Sequence, residues 1–174
     1  MKPTNSAELP QRPEAKALVA RLQKWCGLRD RSVREANDKL DAWLGASDAW
    51  PGSPEATDGW RRAVMDGLVA QGFLDDERCA ASYARVHHEH KSWGPLKIRA
   101  GLRARGVSPS AIDAALAAID DEAWQASCTA LARRRQREAL THRDRTLRWL
   151  ASRGFPSYMA FEACAAVSLE DRDT

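Results

Sequence analysis

Residues 75–98 read DDERCAASYARVHHEHKSWGPLKI, and this stretch decides the fold. Three carboxylates stand at its start, where acidic side chains favour the first turn of a helix. Small and unbranched residues follow, and a Gly-Pro pair then marks a second helix start. The stretch therefore predicts two consecutive helices, the first capped by acids and the second basic.

The rest of the chain has the same character, with scattered β-branched residues and no run of period two. Four prolines stand at or beside expected helix starts, and a serine N-cap precedes two of them: Pro54, Pro95, Pro109 and Pro156, with Ser53 and Ser108. An all-α protein is predicted. Its helices are expected at residues 15–27, 31–44, 54–71, 75–91, 94–105, 109–119, 121–139, 143–153 and 156–167.

An internal repeat groups these helices in threes. Arg105-Gly106-Val107 and the Ser-Pro after it match Arg153-Gly154-Phe155 and its Pro-Ser at an offset of 48 residues. Asp75-Asp76-Glu77 and Asp120-Asp121-Glu122 open two first helices, and i, i+4, i+7 positions on each give one buried face. On that register Cys79, Tyr83 and Val86 correspond to Trp124, Cys128 and Leu131. A period of about 45–50 residues is typical of helical arrays, which are elongated.

This register predicts the domain organisation. Residues 1–14 are expected to form a disordered tail, since they are polar and lack an apolar stretch. Repeat 1 is predicted at 15–74 with an inserted loop at about 45–58, repeat 2 at 75–119, repeat 3 at 120–167, and a C-terminal tail at 168–174.

Composition narrows the class of protein. With 44% apolar and 29% charged residues, the chain has no window as apolar as a membrane span, and we expect a cytoplasmic protein. Its four cysteines lie far apart without zinc-ligand spacing, so we expect buried helix residues. Most of the seven tryptophans are expected to pack in cores, whereas Trp50 and Trp60, in the insertion GASDAWPGSPEATDGW around residues 45–60, are the best candidates for exposure.

Two metal-site interpretations are disfavoured. Asp75, Asp76 and Glu77 suggest a nuclease site, but successive carboxylates at a helix start diverge, and first-turn caps are the better interpretation. His87 and His90 lie i, i+3, yet no second segment completes a ligand shell, so the histidines are expected at a solvated helix end. We expect no metal and no cofactor.

Positive charge is concentrated in two segments. Residues 85–109 hold six Lys and Arg against Glu89 alone, and residues 131–155 hold eight Arg against Glu138 and Asp144. On the helix after Gly94, inward Ile98 and Leu102 push basic residues outward. We call the resulting candidates the basic set and predict that they bind a partner or DNA: Lys97, Arg99, Arg103, Arg105, Arg133, Arg134, Arg135, Arg137, Arg145 and Arg148.

GFLDDERCAASYAR followed by GPLKIRAGLRARGV resembles the RecX family of regulatory proteins. The resemblance rests on three motifs, which are Gly72 to Ala80, Gly94 to Ile98, and Leu102 to Gly106. Cys79 replaces a usual Phe, which leaves a smaller core residue, and the Trp-containing insertion is a second departure.

The resemblance implies a curved array that lies in the groove of the RecA–DNA filament and modulates, mainly inhibits, its activities in recombination and the SOS response. It implies no active site, and we expect a monomer without a membrane partner. Single- or double-stranded DNA is a further candidate partner, and a general DNA-binding protein that competes with recombinase is the alternative function. A nuclease is disfavoured because no nucleophile, phosphate loop or metal cluster is present in the sequence.

Overall fold

A computed structural model of the protein describes residues 12–45 and 53–170. All regular elements in these ranges are helices, so the all-α prediction is confirmed. The ten helices are α1 (Pro13–Gly27), α2 (Val33–Gly45), α3 (Pro54–Ala70), α4 (Asp76–Lys91), α5 (Pro95–Ala104), α6 (Pro109–Ala117), α7 (Asp121–Arg133), α8 (Gln136–Thr141), α9 (Arg143–Ser152) and α10 (Ser157–Glu170). No helix in the described part is long and apolar enough to cross a membrane.

The described residues divide into two compact units. Unit 1 comprises residues up to 79 together with 105–107, and unit 2 comprises residues 80–104 and those from 108 onward. The first unit thus contains the three helices of predicted repeat 1, and the helices of the other two predicted repeats lie mainly in the second. The order of helices is consistent with tandem three-helix repeats, while the exact repeat boundaries stay a prediction.

The core of unit 1 is built from the inward faces of α1, α2 and α3. Leu22, Leu40, Trp60 and Leu68 are each at most 3% exposed, and Leu74 closes the cluster after the turn that ends α3. Burying a side chain of this size contributes about 1.5–3 kcal/mol. The amphipathic spacing that predicted these helices therefore also identifies most of their core.

The core of unit 2 centres on α7, α9 and α10, which pack on one another. Cys128, Leu150, Phe155 and Val167 are at most 1% exposed. The expected buried face of α7 is confirmed, because Trp124, Cys128 and Leu131 are all buried. On α4 only Cys79 of the corresponding triplet is buried, and Tyr83 and Val86 are partly exposed.

Serine caps confirm two predicted helix starts. Ser53 Oγ accepts a hydrogen bond from the Ala56 N–H at 3.3 Å, and Ser108 Oγ accepts one from the Ala111 N–H at 3.3 Å. Asp75 caps α4 in the same way, through the Arg78 N–H at 2.9 Å. Such caps stabilise a helix by about 1 kcal/mol each.

The matched Arg-Gly turns make corresponding contacts in the two units. In unit 1 the Arg105 carbonyl accepts a hydrogen bond from Ser32 Oγ at 2.6 Å, just before α2. In unit 2 the Arg153 carbonyl accepts one from the Gly94 N–H at 2.8 Å, just before α5. Each turn therefore binds the start of the second helix of a predicted repeat, and the glycine of each turn has a positive φ.

The contact in unit 2 requires glycine on both sides. A Cβ on Gly94 would lie 2.4 Å from the carbonyl carbon of Gly154, and a Cβ on Gly154 would lie 2.4 Å from the Lys97 Cβ. Gly154 also has a φ of +92°, which side-chain-bearing residues rarely adopt. Any side chain at either position would separate the two backbones.

The structure corrects two sequence-based expectations. The predicted helix 121–139 is interrupted, since α7 ends at Arg133 and α8 begins at Gln136. Arg135 leaves helical geometry there and stacks on Trp149, 4.6 Å from the ring centroid. The prediction that Trp60 is exposed is wrong, because α3 begins at Pro54 and buries this ring to 3% exposure.

Other predictions fall partly on residues that the structure does not describe. The predicted N-terminal tail lies outside the described residues up to residue 11, and α1 begins at Pro13. Residues 46–52 of the predicted inserted loop, with Trp50 among them, lie outside the described residues. Residues 54–58 of that loop belong to α3. Residues 171–174 of the predicted C-terminal tail also lie outside, and α10 continues to Glu170.

Candidate partner-binding surface

Helix α5 presents the first three members of the basic set. Ile98 and Leu102 are fully buried, so the residues beside them face outward as expected. Lys97 is partly buried, with Nζ 4.7 Å from the centroid of Trp93 and 3.4 Å from the Ser152 carbonyl. Its ammonium group is therefore held against unit 2 by a cation–π contact and a hydrogen bond.

The two arginines of α5 differ from each other. Arg99 pairs with Asp113 of α6, which neutralises its charge locally. Arg103 is exposed, and its side chain makes no ion pair within the described residues. Of the three α5 candidates, Arg103 is thus the one whose charge is least neutralised by neighbouring side chains in the described residues.

Arg105 lies in unit 1, in a network centred on Glu35. Its Nη1 is 2.8 Å from Glu35 Oε1, and a quarter of its side chain is exposed. Glu35 also accepts a hydrogen bond from Arg29 at 3.0 Å and one from the Ser32 N–H at 3.1 Å. This geometry gives Arg105 a role in holding the Arg-Gly turn against the start of α2.

The remaining arginines surround the break between α7 and α8. Arg133, Arg134 and Arg137 are exposed, and Arg135 is partly buried. Arg135 pairs with Glu138 and stacks on Trp149, so its guanidinium contributes to the packing of unit 2. Arg134 and Arg137 make no ion pair within the described part of the chain.

Helix α9 contributes Arg145 and Arg148 to a polar cleft at its beginning. Arg145 Nε is 3.0 Å from Glu138, with 70% of its side chain exposed, and Arg148 Nε donates to the Asp144 carbonyl at 3.3 Å. We call this space the α8–α9 cleft. It has a volume of about 460 Å³ and is lined by Thr141, His142, Arg143, Asp144, Arg145 and Arg148.

Two residues of this region were missed by sequence reasoning. Arg143 lines the α8–α9 cleft although it is not in the basic set, and its guanidinium lies 5.4 Å from the Phe161 ring centroid. Its position two residues before Arg145 was the available signal. Glu138 pairs with both Arg135 and Arg145, so a single carboxylate organises two members of the basic set.

The acidic triplet of α4 serves the structure of unit 1. Asp75 caps the helix, and Asp76 Oδ1 accepts the Val33 N–H at 3.0 Å. Arg78 binds Asp30 at 2.9 Å, and this hydrogen bond raises the pKa of its guanidinium. No group of His, Cys, Asp and Glu in the described residues has the arrangement of a metal site.

The histidines of α4 are packed more closely than expected. His87 stacks on Tyr83, with centroids 3.8 Å apart, and His88 meets the edge or face of Trp124 at 4.4 Å. Burial lowers the pKa of His88, whose Nδ1 has no hydrogen-bond partner among the described residues. Only His90 fits the expected solvated helix end, because aromatic neighbours cover the other two.

All four cysteines are free and buried in helices, as predicted. Burial raises the pKa of the Cys79 thiol to about 11 and that of Cys128 to about 12. The reactive thiolate form is thus disfavoured at both positions. These cysteines are small core residues of this fold.

Known proteins similar to this chain are regulatory proteins. A family model described as RecX, second three-helix domain, matches residues 75–116. Regulatory protein RecX of Xanthomonas oryzae pv. oryzae (strain PXO99A) is 33% identical over 147 residues, covering 82% of each chain. Regulatory protein RecX of Xanthomonas axonopodis pv. citri (strain 306) is 35% identical with the same coverage.

Solved structures share the fold at lower identity. The crystal structure of RecX from Lactobacillus salivarius superposes with a TM-score of 0.71 and 17% identity, covering 88% of this chain and 96% of that chain. A crystal structure of regulatory protein RecX gives a TM-score of 0.68 and 23% identity, covering 83% and 68%. The helical architecture is therefore common to these proteins.

Proposed function

Because the chain belongs to the RecX family of regulatory proteins, we propose that it binds the RecA–DNA filament and modulates, mainly inhibits, its activities. Those activities are ATP hydrolysis, strand exchange and the co-protease function of the SOS response. The protein acts by binding, without an active site of its own, and it binds as a monomer.

The observation that carries the binding surface is the set of exposed arginines in unit 2. Arg103, Arg134 and Arg137 extend into solvent without an ion pair in the described residues, and Arg148 is also exposed. An exposed guanidinium binds phosphate and carboxylate oxygens through paired N–H donors. A filament groove offers both kinds of oxygen, so this surface suits it.

Inhibition follows from binding to more than one recombinase protomer. Once one group of arginines is bound, the next site is reached at a high effective concentration. A protein that bridges neighbouring protomers restrains their relative motion, and we expect this restraint to inhibit the filament. The basic residues of α5 and of α7 to α9 are the two groups that make such contacts.

A second candidate function is general DNA binding in competition with recombinase. The same arginines favour it, because phosphate contacts need no protein partner. This function requires strong binding to bare DNA, with log K falling by about 0.7–0.9 per phosphate contact for each tenfold increase in salt. The filament regulator does not require it.

The test is a titration of this protein into recombinase that is hydrolysing ATP on single-stranded DNA. Binding to the same DNA without recombinase is measured at the same salt. Suppression of ATP hydrolysis well below equimolar protein, at concentrations where binding to bare DNA is not appreciable, supports the filament regulator. Suppression only when the DNA is saturated by this protein supports competition, and no suppression at any ratio excludes both.

A further inference from the structure

The α8–α9 cleft is lined mainly by cationic and polar side chains. Three arginines, Arg143, Arg145 and Arg148, line it together with one acidic residue, Asp144. Thr141 and His142 complete the lining, and Thr141 Oγ1 donates to the Arg137 carbonyl at 2.7 Å. An apolar ligand finds little surface here, whereas an anion finds a net positive, concave site.

The three arginines are positioned by neighbours that leave donors for a ligand. Arg145 contacts Glu138 and Arg148 contacts the Asp144 carbonyl, in both cases through Nε. Each guanidinium carries four further N–H donors on its terminal nitrogens. Arg143 lies over Phe161, a contact with the ring that restricts the guanidinium position without an oxygen partner.

The arrangement favours phosphate over carboxylate. One guanidinium satisfies a carboxylate through a bidentate pair, and the lining already contains an acidic residue, Asp144. A phosphate group has more acceptor oxygens and can accept from several arginines on different sides. The cleft volume of about 460 Å³ exceeds what one phosphate needs, so the group can be attached to a larger molecule.

We propose that the α8–α9 cleft is a phosphate-binding site formed by Arg143, Arg145 and Arg148. The ligand is either the backbone of a nucleic-acid strand or a free polyphosphate compound such as a nucleotide. The proposal rests on the proposed function, since Arg145 and Arg148 belong to the basic set, and it adds Arg143 and a ligand class.

The experiment measures binding of two probes, inorganic pyrophosphate and a short oligothymidylate, by calorimetry. The test variant is the double substitution Arg143→Gln and Arg148→Gln, which keeps Arg145 and its contact with Glu138. The control is Lys24→Gln with Arg62→Gln, which removes the same charge from exposed positions of α1 and α3. Far-UV circular dichroism checks that each variant is folded.

At least one probe is expected to bind the wild type and control equally and the test variant at least about tenfold more weakly. Weakened pyrophosphate binding alone identifies a free phosphate compound as the ligand, and weakened oligothymidylate binding identifies a strand. The proposal is overturned if neither probe binds the wild type, or if the test variant and control bind alike. If the double variant loses helical circular dichroism signal, probe binding by the single variant Arg148→Gln is compared with that of the wild type and the control instead.

Failure of this site is distinguishable from failure of the proposed function. If the wild-type protein suppresses recombinase ATPase but binds neither probe, the regulatory function is supported and the phosphate-binding site is rejected. If probe binding depends on the cleft arginines but the protein has no effect on recombinase, the phosphate-binding site is supported and the regulatory function is rejected.

Discussion

Neighbouring arginines of the basic set have different physical roles. Arg105 contacts Glu35, which also binds the Ser32 N–H before α2, whereas Arg103 is exposed two residues earlier on the chain. Partly buried charged groups lose more when a partner is removed than exposed ones do, because solvent does not replace the interaction fully. Sequence position alone therefore does not separate structural from binding arginines here.

Arg105→Ala is expected to lower the free energy of unfolding by about 1–2 kcal/mol, since Glu35 loses a hydrogen-bonded partner. Arg103→Ala is the matched control and should change it by less than about 0.5 kcal/mol. Urea unfolding followed by circular dichroism measures both. Equal effects of the two substitutions would contradict the structural role of Arg105.

The burial of His88 is expected to make the free energy of unfolding depend on pH. Its pKa in the unfolded chain is near 6.5, and burial lowers it in the folded protein. As the pH falls below 6.5, the unfolded state therefore takes up the proton first, and stability is lost until the lowered folded-state pKa is passed. Below that pKa the loss is complete.

The free energy of unfolding is thus expected to be lower at acidic pH than above pH 7, and His88→Phe should reduce this difference. The phenyl ring retains packing against Trp124 and does not titrate. His90→Gln, at an exposed position, is the control and should leave the pH dependence close to that of the wild type. Urea unfolding of the wild type and both variants across this pH range measures the effect. If the free energy of unfolding of His88→Phe varies with pH as much as that of the wild type, His88 is not the responsible group.

At the scale of elements, the contact between the start of α5 and the turn after α9 depends on close backbone approach. Gly94→Ala would place a methyl group 2.4 Å from the Gly154 carbonyl carbon and disturb the hydrogen bond to Arg153. We expect the free energy of unfolding to fall by about 3 kcal/mol, which corresponds to a melting temperature about 6–12 °C lower.

Gly67→Ala provides a control of opposite sign. Gly67 lies inside α3, where a Cβ would approach only the Gln71 side chain, at 4.0 Å. Alanine favours the helix by about 0.5–1 kcal/mol there. Calorimetric melting of both variants tests the contrast, and a Gly94→Ala protein as stable as the wild type would mean that these backbones do not meet.

The helices were predictable because their signals are local. Prolines, serine caps and apolar spacing act within one or two turns, and Ser53 and Ser108 cap α3 and α6 as expected. The break after α7 has no such local signal, and Arg135 at the break stacks on Trp149, a residue of another helix. Trp60 was misplaced for a related reason, since an insertion was taken to continue past the start of α3.

At the scale of the whole molecule, the sequence shows where positive charge is concentrated but not which basic side chains are paired or exposed. The sequence located positive charge in 85–109 and 131–155. It did not indicate that Arg99 pairs with Asp113, that Lys97 lies over Trp93, or that Arg143 joins the cleft. The first of these facts is a contact between two helices, and the other two depend on where each side chain lies, which charge counting does not give.

This difference determines which substitutions test filament binding cleanly. Reversal at Arg99 brings a carboxylate against Asp113 and disturbs the α5–α6 contact, whereas Arg103 and Arg148 are exposed. The double substitution Arg103→Glu and Arg148→Glu is therefore expected to weaken suppression of recombinase ATPase at least about tenfold, with unchanged helical content. The deficit should shrink as salt rises, because salt screens exposed charges.

Lys24→Glu with Arg62→Glu reverses the same amount of charge at exposed positions of unit 1 and separates a local effect from one of net charge. If both double variants weaken suppression equally, only net charge matters, and the arginines of α5 and α9 have no specific contact with the filament. If only the Arg103→Glu, Arg148→Glu variant weakens suppression, these two exposed arginines contact the filament. Both variants keep the Glu35 and Glu138 pairs, and far-UV circular dichroism of each separates loss of fold from loss of contact.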